Sequence, residues 1–335
     1  GVLSMWISNT ATAALLIPFA ISLSSTVEGE KNRKRLTKML LMGIGIAATV
    51  GGLGTVIGSA PNAITSALLA QHGSWTFLDW MLVGMPAAFI LLFLSWKVIL
   101  KVIPPPDVAI DTGMLERDYA LMGKISGSER KTLAIFGFAV VFWVSGAELG
   151  AMLGFTSAFM SSAIVSLLAA IMLFVTRTIT WDDARKVPWG VFLILGAGLA
   201  LGEAIIDTGA AAWITGHIFG LTLGLPLLAI IVIICFIMVV ISNFLSNTAS
   251  AAVFIPILIS LASEMETNLR LLVLPAAMVL TLSFITPIGT PPITLIYSLG
   301  KIDRKELAKI GIMVAVPAVF ICIGMVYLLN IMGLI

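Results

Sequence analysis

The stretch SNTATAALLIP, Ser8–Pro18, starts a helix on polar caps inside otherwise apolar chain, and it returns as SNTASAAVFIP at Ser246–Pro256 with eight of eleven positions identical. Downstream of each copy lies a second related pair, IGSAPNAI at Ile57–Ile64 and IGTPPITL at Ile288–Leu295. Each of these is a Gly-Ser/Thr-x-Pro break between two apolar stretches. The same order therefore occurs twice: an SNT break, a short helix, a loop, an apolar helix, and a Gly/Pro break. Paired interruptions of hydrophobic segments at corresponding positions of two halves point to the binding site of a membrane transporter.

Composition agrees. The 335 residues are 59% hydrophobic and 11% charged, with mean hydropathy +1.11, where a soluble domain is nearer a quarter charged. Runs such as FLDWMLVGMPAAFILLFLSWKVIL and LPLLAIIVIICFIMVVI recur along the chain, several near the roughly 20 residues that cross hydrocarbon as a helix. They leave no room for a soluble domain. The expected fold is an all-α polytopic membrane protein. A net charge of +2 implies no acidic polymer, so no nucleic-acid partner is expected. Cys235 and Cys322 lie inside apolar runs, and His72 and His217 have no ligand-like spacing, which argues against a metal-dependent enzyme. The opening GVLSMWISNT has no basic n-region and is not read as a signal peptide. Trp6, Trp80, Trp96, Trp143, Trp181 and Trp189 flank spans and read as an interfacial belt.

Charge sets the expected orientation. The loop after the first SNT helix carries Lys31, Arg33, Lys34, Arg35 and Lys38, whereas its counterpart carries only Arg270 beside Glu264 and Glu266. By the positive-inside rule the two loops face opposite sides, so the repeats are inverted. If residues from about Leu225 to Ala262 form a re-entrant hairpin with SNT at its tip, eighteen of the nineteen Lys and Arg residues fall on the cytoplasmic side. The expected division is 1–104 for the remainder of the first repeat, 105–131 for a cytoplasmic linker, and 132–335 for the second repeat. The second SNT is preceded by more than 100 hydrophobic residues that the first lacks, so about 100 further residues, the leading helices of the first half, are expected upstream.

A non-helical break within hydrocarbon is tolerated only where it lines a cavity or is buried by protein. At each break a helix starts or ends, offering free N–H groups that suit anions and free carbonyls that suit a hard cation. Ser, Thr and Asn side chains can serve both, donating to an anion and coordinating a cation through oxygen. Pro61, Pro291 and Pro292 lack an N–H and keep the breaks open. Gly58 and Gly289 are read as permitting backbone conformations that a side chain forbids. Ser4 and Ser242, each four residues before an SNT serine, are either ligands or back-bonded to helix carbonyls. No acidic residue falls at a break; Glu148, Glu203 and Asp207 sit at expected span ends, which weakens a carboxylate proton relay.

These residues resemble the divalent anion/sodium symporter family, which imports dicarboxylates, citrate or sulfate, and the resemblance covers essentially the whole chain. It implies a secondary active transporter that is no enzyme, has no catalytic residues and needs no cofactor, with Na+ as coupling ion. Its partners are a small anionic substrate, membrane lipid and a second copy in a homodimer. It further implies an elevator mechanism, a transport domain moving past a dimeric scaffold, in a bacterial or archaeal inner membrane. One sodium site maps onto Ser4, Ser8, Asn9 and Gly58, and the second onto Ser242, Asn247 and Gly289. Substrate maps onto Asn9, Thr10, Ser59, Asn247, Thr248, Thr290 and Pro291. The family's loop reads like PPNA in both halves; here the first is Ala60-Pro61-Asn62-Ala63 and the second Pro291-Pro292-Ile293-Thr294. Loss of the second Asn removes an amide expected near the second half-site. The alternatives are a proton-coupled or arsenite-efflux-like anion transporter and, further off, an ion channel.

Overall fold

The computed structural model describes residues 1–108, 113, 121, 123–152, 154, 161–187, 189–222 and 224–335. Every regular element among them is helical. Helices α1 to α4 are Asn9–Ser25, Glu30–Gly51, Ala60–Ala70 and Phe77–Val102; α5 to α7 are Gly127–Met152, Ser162–Val175 and Trp181–Arg185. Helices α8 to α11 are Trp189–Asp207, Ala210–Thr222, Leu227–Ser242 and Asn247–Glu264; α12 to α14 are Leu269–Leu280, Pro291–Ser298 and Arg304–Ile331. Much of the expected 105–131 linker, Arg117 included, lies outside the described residues, as does the side chain of Glu148.

The helix starts follow from local chemistry. Ser8 caps α1 by accepting from the Ala11 amide at 3.1 Å, and Ser246 caps α11 by accepting from Ala249 at 3.4 Å. Proline opens α3 and α13, where its missing N–H costs nothing. Among the described residues three helices, α4, α11 and α14, are long and apolar enough to cross a membrane. The apolar helices α1, α6, α10 and α12 are shorter, between 10 and 17 residues.

The chain forms two compact units: Gly1–Trp75, Asp79–Asp111 and Leu193–Ile335 in the larger, Thr76–Leu78 and Thr112–Phe192 in the smaller. This division follows packing, whereas the expected 1–104, 105–131, 132–335 division follows the repeated motifs. In the smaller unit α5 packs on α6, with the Trp143 indole donating to the Ser162 carbonyl at 3.2 Å.

The core of the larger unit is α12, buried at every position from Leu271 to Leu280. A helix apolar on all sides must be surrounded, and α3, α10, α11 and α14 pack on it. The two copies of the repeat also exchange helices. The second SNT helix α11 packs on α3 of the first copy, and α13 of the second packs on α1 and α2 of the first. On α4 and α14 the large side chains Phe89, Phe93, Trp96, Ile312, Phe320 and Leu328 are exposed. These rows give both helices of spanning length an exposed apolar face. Trp80 corrects the belt reading: it is 1% exposed and its indole donates to the Leu53 carbonyl at 3.0 Å. A buried Trp finds a partner for its N–H in the core as readily as at an interface.

Candidate functional site

The breaks of the first copy come together around the amide of Asn9. Three acceptors surround it: Ser4 Oγ at 2.5 Å, the Ala48 carbonyl at 3.0 Å and the Gly58 carbonyl at 3.2 Å. Ser4 is fully buried and its hydroxyl also reaches the Ala48 carbonyl at 2.7 Å. A hydroxyl has one proton, so Ser4 donates to Ala48 when the amide nitrogen of Asn9 faces inward and donates to the ring. With the amide oxygen inward, the single Ser4 proton can bridge to Asn9 Oδ1 or to the Ala48 carbonyl but not to both, and the oxygens left facing one another are relieved by a cation. Such a donor set fits a hard monovalent cation. Ser4 thus reaches across to α2 rather than bonding back within its own turn.

The glycines have a different reason from the one the sequence suggested. Neither Gly58 nor Gly289 has a positive φ. A Cβ on Gly58 would collide with the Gly52 carbonyl, and one on Gly289 with the Ser283 carbonyl. Close approach of two backbone segments, not conformational freedom, excludes a side chain at both.

The contacts recur in matched pairs. The Thr55 hydroxyl donates to the Met5 carbonyl, and the Thr286 hydroxyl donates to the Asn243 carbonyl at 2.6 Å. Thr55 and Thr286 each stand three residues before the repeat glycine, and Met5 and Asn243 three before the SNT serine. Each break is tied to its own SNT turn by the same bond. Below the SNT tips, Thr12 and Ser250 occupy equivalent positions, and both hydroxyls are buried without a hydrogen-bond partner among the described residues.

The second copy departs in detail. The Ser283 hydroxyl donates to Asn247 Oδ1 at 2.9 Å, where the first copy has Gly52 against Asn9. Ser242 is buried with its hydroxyl back-bonded to the Val239 carbonyl at 3.0 Å. In the first copy Asn62 ties its loop by donating to the Gly52 and Thr55 carbonyls, each at 2.8 Å. Its counterpart Ile293 is fully buried among apolar side chains. The amide missing from that loop is supplied from the other side: Asn243 Oδ1 accepts from the amides of Ile285 at 2.9 Å and Thr286 at 3.3 Å.

One bond links the copies at the site. The Thr49 proton goes to the Gly45 carbonyl at 2.9 Å, so Thr290 donates to Thr49 across 3.0 Å. Since Ala48 belongs to the Asn9 ring, the Ala48–Thr49 pair joins that ring to the second Gly/Pro break. Ser4, Asn9, Gly58 and Thr290 are thereby brought together, and Asn247 with Ser283 and Gly289. Ser8, Thr10 and Pro291 are exposed; Ser59 and Thr248 are half-buried. Ser59 and Thr290 open α3 and α13 without using their hydroxyls as caps. Sequence reasoning missed Ala48, Thr49, Thr55, Asn243, Ser283 and Thr286. The shared T-x-I-G spacing held the signal for the two threonines; the others have no repeated counterpart.

A helical membrane protein whose two duplicated halves each pair a polar SNT turn with a Gly/Pro break has the makings of a small-ion transporter. The model of the sodium:sulfate symporter transmembrane region matches residues 2–334, and the chain belongs to that family. It is similar to the sodium-dependent dicarboxylate transporter SdcS of Staphylococcus saprophyticus, 30% identical over 98% of this chain and 67% of that protein. The protein of the same name from Staphylococcus aureus strain USA300 is 32% identical over 98% of this chain and 66% of its own length. The chain spans about two thirds of these relatives.

Proposed function

We propose that this chain is the core of a sodium-coupled importer of a small divalent anion, with a C4-dicarboxylate ahead of citrate or sulfate. The observation that carries the reading is the ring around Asn9, which becomes an all-oxygen cation cage when the amide oxygen turns inward. Neutral Ser, Thr and Asn groups and helix N-termini at the same breaks offer hydrogen-bond donors to an anion without a fixed countercharge. The dicarboxylate preference rests on the names of the relatives. In this reading Asn9, Thr10, Ser59, Asn247, Thr248, Thr290 and Pro291 face substrate. Ser4, Ser8, Asn9 and Gly58 hold one sodium, and Ser242, Asn247 and Gly289 the other. Ala48 adds a carbonyl to the first sodium.

The proposal extends to two inverted repeats, a homodimer and an elevator motion in a bacterial plasma membrane. The matched contacts support duplication, and the asymmetry of Lys and Arg supports inversion. Each sodium descending a tenfold gradient supplies about 1.4 kcal/mol, and each net charge crossing 100 mV about 2.3 kcal/mol. Two sodium ions neutralise a dianion, so a third makes import electrogenic.

Radiolabelled succinate uptake by the full-length protein in proteoliposomes, driven by sodium or choline gradients, tests the reading. Uptake is expected with sodium alone and is expected to vanish in both Asn9→Ala and Asn247→Ala. Uptake indifferent to sodium overturns the coupling. Sodium-driven uptake that survives both substitutions overturns the assignment of the two half-sites.

A further inference from the structure

Away from the SNT turns, the far end of α1 opens onto a cavity of about 560 Å³ between the start of α2 and the loop before α14. Arg33, Lys34, Lys38 and Lys301 line it and no carboxylate does. Its lining on α1, Ile21, Ser24 and Ser25, stands 12 to 16 residues beyond Asn9, roughly 18–24 Å at about 1.5 Å per residue and clear of the candidate transport site.

The charges there are only partly matched. Lys34 pairs with Glu30 at 2.6 Å, and Lys38 with Asp303 at 2.8 Å and Glu306 at 2.5 Å. Arg33 and Lys301 make no ion pair within 4 Å among the described residues. The wider surroundings, 28–38 and 300–309, hold nine Lys and Arg against four Asp and Glu. The hydroxyl of Ser25 on the cavity wall donates its proton to the Ser22 carbonyl at 2.6 Å. Recognition therefore falls to the cations. A guanidinium beside an ammonium in an open pocket matches the oxygens of a phosphate group, with Arg binding two oxygens at once and Lys acting as a point charge. The pocket lies at the end of the apolar helix α1, and basic clusters that flank apolar helices attract phosphate headgroups.

We propose that this cavity binds a phosphate-bearing anion, with Arg33 and Lys301 as its direct ligands. The source is either the headgroup of an anionic phospholipid or a soluble phosphate, and the test separates them. Binding of inorganic phosphate to the detergent-purified full-length protein is measured by its effect on the thermal unfolding midpoint. Binding of phosphatidylglycerol is measured by the same shift and by native mass spectrometry, against phosphatidylcholine as the neutral control. Wild type is compared with Arg33→Gln/Lys301→Gln and with Lys101→Gln, a basic residue at the end of α4 outside the cavity.

The double substitution is expected to weaken binding roughly thirty-fold while Lys101→Gln leaves it near wild type. Phosphate that binds and displaces the lipid identifies a soluble ligand; lipid binding that excess phosphate leaves unchanged identifies a headgroup. Wild-type affinity in the double variant, equal loss in Lys101→Gln, or no binding of either probe overturns the proposal. If the double variant unfolds without ligand, Lys301→Gln alone, on an exposed loop, repeats the comparison.

Discussion

At the scale of single residues, Gly58 separates two roles that a sodium-site assignment merges. Alanine keeps the Gly58 carbonyl that faces Asn9, yet its Cβ would meet the Gly52 carbonyl. The loop must retreat, and backbone cannot yield as a flexible side chain does. Overpacking of this kind costs about 1–3 kcal/mol. Gly58→Ala is expected to lower the thermal midpoint and to reduce succinate uptake by roughly tenfold or more, read from sodium-dependence curves in proteoliposomes. Wild-type uptake and stability would show that the close approach is dispensable. The glycines themselves were legible in the sequence because both copies carry them. Their reason was not, since Gly52 and Ser283, the carbonyls they press against, differ between the copies. Asn243 and Ser283 stayed hidden for the same cause: each stands where the first copy has Met5 and Gly52, so self-similarity could not mark them.

At the scale of elements, the helix breaks were legible and the pairing of helices was not. Polar residues and proline inside apolar runs announce an interruption whatever packs around it. Partner choice needs a helix face that differs from its other faces, and α10 before Ser242 and α12 from Leu271 onward are apolar on every side. Without a hydrophobic contrast between lipid and protein, association rests on shape and on a few polar bonds, which sequence periodicity does not record. The exchange that places α11 on α3 and α13 on α1 and α2 is one such outcome, and within it the Thr49 and Thr290 side chains form a hydrogen bond across the two copies. Thr49→Val and Thr290→Val, singly and together, isolate it. Coupling of about 1 kcal/mol is expected from the double-mutant cycle on unfolding free energy. Additive effects would mean that apolar packing alone holds the two copies at this point.

At the scale of the larger unit, two contacts at different ends join the copies in the same sense. Lys38 on α2 holds Asp303 and Glu306, which follow α13, and Arg270 on α12 donates to the Ser74 carbonyl, which follows α3, at 2.8 Å while lying over Trp75. In each, the helix after an SNT helix reaches the segment after the other copy's short helix. Only the first contact titrates. The hydrogen bond from Lys38, then that from Glu306 and the charge of Lys38, hold the Asp303 carboxyl below its ordinary 3.8. Burial, the largest single influence on Lys38, lowers its affinity for a proton, but the two carboxylates together outweigh it and raise it above 10.5. A depressed carboxylate stabilises the fold above its ordinary pKa and loses that contribution as pH falls through the lower folded value; a raised lysine loses its contribution only above 10.5. The Lys38 contact is therefore fully present between about pH 4 and 10 and weakens in acid. Lys38→Met is expected to lower the midpoint on the order of 1–3 °C at pH 7, with the gap to wild type closing as pH drops below 4. Arg270→Gln, whose partners carry no titrating charge, is expected to keep the same gap at both pH values. A Lys38→Met gap that is unchanged in acid would assign the effect to lost side-chain packing rather than to the ion pair.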